Sequence, residues 1–210
     1  MYSRTPTRVV RAALVAVMLV TTGCVTPTGV ELPDISEWDR RAMILGQLDE
    51  FDFRGRIAVS AGGDGFNGKF SWYQDEDAFR ATVSGPLGIG TVLIEGDERL
   101  VEVTDKDDVK TVLDDVEADL YVRYGWTIPV ESLRYWALGI PDPRVPAETS
   151  FNAAGELTEL MQRGWTVAVD GYREAGGGQP MPRRLTASNT DTKVRLVIDR
   201  WVFRDTIEAL

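Results

Sequence analysis

Chemistry in these 210 residues begins from a single thiol, because Cys24 is the only cysteine and the chain contains no histidine. Without an imidazole, neither a Ser-His-Asp nor a Cys-His arrangement can activate a nucleophile, and no His-bearing zinc site can form. The surroundings of Cys24 point to a different reaction. Arg4, Arg8 and Arg11 precede residues 12–20 (AALVAVMLV), an apolar run too short to span a bilayer but suited to a signal peptide. Thr21-Thr22-Gly23-Cys24 follows. A small residue directly before a cysteine is what lipoprotein processing needs: the thiolate takes a diacylglycerol, and cleavage leaves the acylated cysteine first in the mature chain. Thr21 departs from the leucine-like side chain usual there. The competing reading is an ordinary secretory peptide with an incidental cysteine, yet a lone uncapped thiol is a liability in an oxidising compartment. The usual inner-membrane retention signal, an Asp after the cysteine, is replaced by Val25.

Other candidates for chemistry are weaker. Gly63-Asp64-Gly65-Phe66-Asn67-Gly68-Lys69 satisfies two phosphate-loop patterns, but Phe70 stands where a metal-binding hydroxyl belongs. Such a loop must also feed a helix, whereas Phe66, Phe70 and Trp72 alternate as in a strand. Asp107/Asp108 and Asp114/Asp115 are adjacent carboxylates, which on a helix point apart. These residues imply no enzyme, no cofactor and no metal.

Positioning elements follow from periodicity. Residues 25–35, with two prolines, read as a tether. Ser36 is placed to cap a helix carrying Trp38, Ala42, Leu45 and Leu48 on one face. From Phe53 the period becomes two: Phe53, Ile57 and Val59, then Phe66, Phe70 and Trp72, then Phe79, Ala81 and Val83, with turns at residues 62–65 and 75–77. Strands at 89–95 and 100–104 complete a meander of at least five. Residues 105–139 read as helical, first with Val109, Val112, Leu113 and Val116 buried, then from Pro129 with Leu133, Trp136 and Ala137 apolar and Gly139 as the stop. Residues 140–151 read as loop, and strands resume at 157–161, 165–169, 184–187 and 194–202. The chain is therefore mainly β with helices, a strongly curved antiparallel sheet with helices packed over it. Trp38, Trp72, Trp136, Trp165 and Trp201 fall on five elements, and the residues leave open whether they fill a core or line an apolar cavity.

Removing residues 1–23 takes away three of the 23 cations and none of the 33 acids, leaving a formal −13. That balance excludes nucleic acid as a partner and predicts repulsion from anionic headgroups, so membrane attachment is expected to rest on the lipid at Cys24.

Across about residues 36–203 the chain resembles the LolB family. The resemblance is carried by Phe53-Arg54-Gly55-Arg56, by Gly68, Phe70 and Trp72, and by Gly85-Pro86-Leu87-Gly88. Further along it rests on Gly125-Trp126, Ile128-Pro129-Val130, Leu133, Trp136 and Leu138-Gly139-Ile140-Pro141. Gly164-Trp165, Val167, Gly171-Tyr172, Met181-Pro182 and a final strand at 194–201 complete it. It implies an incomplete antiparallel β-barrel with a helical lid over an apolar cavity for acyl chains, for which the candidate lining is Ile57, Phe70, Trp72, Val83, Leu133 and Trp136. It also implies a receptor that accepts acylated lipoprotein cargo from the periplasmic carrier LolA and inserts it into outer-membrane lipid. Pro86, Leu87 and Gly88 form the expected insertion loop; the alternative is a leucine folded back on a neighbouring strand. The organisation implied is a signal peptide at 1–23, a lipidated tether at 24–35 and one monomeric domain at 36–210, lipid-anchored and facing the periplasm. A lipoprotein for another apolar ligand and a non-catalytic envelope assembly subunit are the competing readings.

Overall fold

The computed structural model describes residues 29–85 and 90–204, so Cys24 and Pro86, Leu87 and Gly88 lie outside the described residues. One antiparallel sheet organises the chain. On one side run β1 (Glu50–Ala61), β2 (Asp64–Asp75), β3 (Ala78–Ser84), β4 (Val92–Gly96), β5 (Val101–Thr104) and β6 (Lys110–Leu113). On the other run β7 (Glu148–Phe151), β8 (Leu157–Gln162), β9 (Trp165–Ala175), β10 (Gln179–Ser188) and β11 (Thr192–Phe203). The order is β6-β5-β4-β3-β2-β1-β11-β10-β9-β8-β7, so the first and last strands pair at the centre while β6 and β7 remain as edges. The result is an incomplete barrel.

Helix α1 (Trp38–Gly46) precedes the sheet, and α2 (Val116–Tyr124) and α3 (Val130–Leu138) connect its two edges. Alternation explains the sheet: Phe53, Trp72, Ala81 and Ile94 stand opposite one another across four strands, and all are buried. Helix α3 crosses to both halves, since Trp136 Nε1 donates to Gln162 on β8 at 2.8 Å and Arg134 donates to the carbonyl of Glu76 after β2 at 3.2 Å. The buried apolar residues form one contiguous cluster from Leu32 to Phe203, which makes the unit self-contained. No described helix is long and apolar enough to cross a membrane.

Four local expectations need correction. Residues 105–113 are not helical: the Asp105 carboxylate accepts from the backbone N–H groups of Asp107 (2.8 Å) and Val109 (3.1 Å), and Asp108 takes φ 60°. This local turn competes successfully with helix formation and releases residues 110–113 into β6, leaving Val109 and Val112 about half exposed. Ser36 is not the cap of α1: Glu37 holds that position without a side-chain bond, and the Ser36 N–H donates to Asp34. Residues 148–151, expected as loop, form edge strand β7, whose four residues are all exposed and so carry no alternation. The end of the expected tether is docked: the N–H of Val30 donates to the carbonyl of Phe203 at 2.7 Å, and Leu32 and Ile35 are buried.

Candidate lipid-handling site

The inner face of the sheet is where an apolar guest would have to lie. Ile57, Phe70, Trp72, Val83, Leu133 and Trp136 are all buried and belong to one apolar cluster. Trp72 lies parallel to Phe79 at 4.9 Å and to Phe53 at 6.1 Å, and Phe53 leads on to Trp201 at 4.8 Å. An aromatic row thus runs along the inside of β1, β2, β3 and β11. The set is divided, however. Trp72 borders a cavity of about 200 Å³ with Phe79, Val101, Leu113, Val116 and Val130, rimmed by charged groups including Glu98, Arg134 and Arg144. Trp136 turns the other way, to Gln162 and, at 6.4 Å between rings, to Trp165. That cavity is smaller than the ~300–1,000 Å³ of a pocket for a drug-sized ligand. In this conformation the interior is packed.

Polar groups that sequence reasoning did not single out hold the helices to this face. Asp142, with a fully buried side chain, accepts from Ser132 on α3 at 3.0 Å and from the Arg144 guanidinium at 2.9 Å, with Arg163 at 3.4 Å. Burial pushes this carboxyl up, but the hydrogen bonds from Arg144 and Ser132 outweigh it and hold it below its ordinary value. Gln162 completes the cluster, accepting from Trp136 and donating to the carbonyls of Asp142 (2.8 Å) and Val145 (2.6 Å). Its only signal in the sequence is an acid between two prolines, Pro141-Asp142-Pro143, after the end of a helix.

Arg41 is the second such group. It is buried on α1, donates to the carbonyls of Pro180 (2.7 Å) and Leu138 (3.1 Å), and lies 5.5 Å from the ring centre of Tyr172. Leu138 ends α3, where the helix dipole favours a cation. Burial pushes the Tyr172 hydroxyl up to about 12, against the pull of Arg41, so it stays protonated and donates to Leu157 at 2.9 Å. Gly139, at φ 77°, leaves no room for a side chain: a Cβ there would lie 2.8 Å from Pro182. Three blocks distant in sequence, Gly139, Gly171-Tyr172 and Met181-Pro182, therefore meet around one buried cation.

The architecture is an open antiparallel half-barrel whose apolar inner face is covered by helices. The model of the family described as outer membrane lipoprotein LolB matches residues 49–201. The chain belongs to this family. It is 30% identical to outer-membrane lipoprotein LolB of Marinobacter nauticus over 207 residues, 91% of this chain and 98% of the relative. The corresponding protein of Nitrosococcus oceani is 30% identical over 78% of this chain and 82% of its own. That of Francisella tularensis subsp. tularensis is 26% identical over 90% and 91%.

Proposed function

We propose that this protein is an outer-membrane receptor that accepts acylated lipoproteins from the periplasmic carrier LolA and inserts them into the outer membrane, itself anchored through lipid on Cys24. The observation that carries this reading is the continuous apolar inner face of the open sheet, covered by helices of which α3 bridges both halves through Trp136 and Arg134. A cargo with three long acyl chains loses roughly 30 kcal/mol on entering water, at about 0.8 kcal/mol per CH₂. The chains must therefore pass between apolar surfaces in direct contact. Because Trp72, Leu133 and Trp136 are already packed, loading requires α2 and α3 to lift from the sheet, and the interior that closes afterwards helps to expel the guest toward the bilayer.

Leu87, between Pro86 and Gly88, is assigned to the membrane-touching step. Leu87→Glu tests this with three readouts on one preparation. Melting should be nearly unchanged, capture of cargo from the carrier should persist, and incorporation into liposomes should fall sharply, so that loaded protein accumulates. A lowered melting temperature with normal delivery per folded molecule would instead make Leu87 a core residue and end its role in insertion.

A further inference from the structure

The charge of this acidic chain is unevenly placed. Residues 95–119 hold eleven carboxylates and three cations, on and around β4, β5, β6 and α2. The outward face of the central strands is the opposite. Arg54 stands directly across from Arg200, and Arg56 directly across from Lys69. All four are exposed. Like charges in directly opposed positions destabilise a sheet, so their arrangement calls for an anion from outside. A bulge in β11 strengthens the pattern: the register slips between Arg54 and Gly55, leaving Asp199 and Arg200 both exposed. Asp199 binds Arg56 at 3.2 Å, Arg54 reaches Asp52 only at 4.0 Å, and no ion pair engages Lys69 among the described residues. Arg54, Arg56 and Lys69 flank a groove of about 630 Å³ whose lining also includes the half-buried Ser71 and Thr82 and the carboxylates of Asp52 and Asp199.

We propose that this groove binds the phosphates of phospholipid headgroups and lays the outer face of the sheet along the membrane surface. Guanidinium, ammonium and hydroxyl donors around an open hollow match the oxygens of a phosphodiester. The position selects a bilayer over an acidic protein. One end of the groove reaches Arg204, beside Phe203, whose carbonyl holds Val30, six positions after Cys24 in the sequence. The other end reaches Ser84, and a neighbouring hollow joins Arg56, Lys69 and Arg195 to Gly85, where the chain enters residues 86–89. The described residues next in sequence to the two segments assigned to the membrane, Val30 and Gly85, thus stand toward opposite ends of the cationic face, and the inference rests on that assignment. Whole-chain charge predicts repulsion from anionic lipid; its distribution points to local attraction.

The test is sedimentation of the unacylated mature domain with phosphatidylcholine vesicles, with and without about a third phosphatidylglycerol, at low and at physiological salt. Binding should require phosphatidylglycerol, weaken with salt, and fall about tenfold or more in Arg54→Gln/Arg56→Gln/Lys69→Gln. Arg99→Gln/Lys106→Gln/Lys110→Gln, on the acidic side, should bind as the unaltered domain does. Binding independent of phosphatidylglycerol, equal losses in both variants, or displacement from vesicles by polyglutamate at low concentration would each overturn the proposal, the last in favour of an acidic protein. Circular dichroism melting of both variants removes misfolding as a cause. Cargo capture from the carrier is measured separately: its failure with headgroup binding intact would count against the receptor reading alone, and the reverse against the groove alone.

Discussion

Asp142 shows how much one side chain contributes to holding the helices on the sheet. Its carboxylate has no exposed side-chain surface and is bonded by Ser132, Arg144 and Arg163. Asp142→Ala leaves these donors without their acceptor and should destabilise the domain by about 3 kcal/mol, measured by urea unfolding. Because the folded carboxyl is held below its ordinary value, its stabilisation is fully present above about pH 4 and lost as pH falls through the folded value. The variant should therefore show a weaker loss of stability on acidification than the unaltered chain; identical acid titrations would remove Asp142 from the linkage. Gly55 is the backbone counterpart. A Cβ there would sit 1.9 Å from the carbonyl oxygen of Val197, opposite the bulge, so Gly55→Ala should destabilise by about 3 kcal/mol or more. A melting temperature unchanged in Gly55→Ala would mean that β1 and β11 approach less closely than described. At the N-terminus, Cys24→Ser should abolish acylation because serine offers no thiolate, and labelled palmitate entering that variant would place the anchor elsewhere.

At the scale of elements, strands with one buried face were legible and helices only in part. Phe53, Phe70 and Trp72 announce their strands because alternation places each on the inner face, where all are buried. Residues 109–113 misled because Val109, Val112, Leu113 and Val116 have helical spacing, while the turn made by Asp105 and the pairing of Lys110 with Thr104 settle residues 110–113 as an edge strand and leave Val116 to begin α2. Arg41 and Gln162 were invisible for a related reason: polar side chains read as surface until a tertiary partner removes them from water. Six apolar candidates for the lining were legible as buried, but not that Trp72 and Trp136 point to different halves. Since the interior is packed, the proposed loading requires opening at α2 and α3. Hydrogen exchange should report loss of protection in these two helices on loading, with β1, β2 and β11 unchanged. Uniform protection across the whole domain would contradict a moving lid.

For the whole molecule, the relevant features are the sidedness of the sheet and the direction of flow. Apolar side chains and helices occupy one face, Arg54, Arg56, Lys69 and Arg200 stand on the other at the central strands, and eleven of the 33 carboxylates fall in residues 95–119 around β4–β6 and α2. No energy source is needed if each step is downhill, from carrier to this interior and from interior to bilayer, provided the interior holds acyl chains without specific polar anchors. The most direct test is native mass spectrometry of the unacylated mature domain mixed with carrier loaded with a triacylated lipoprotein. One-to-one transfer is expected, with intact lipoprotein on the domain and the carrier emptied. A domain that leaves the loaded carrier untouched, or that acquires phospholipid alone, would contradict it.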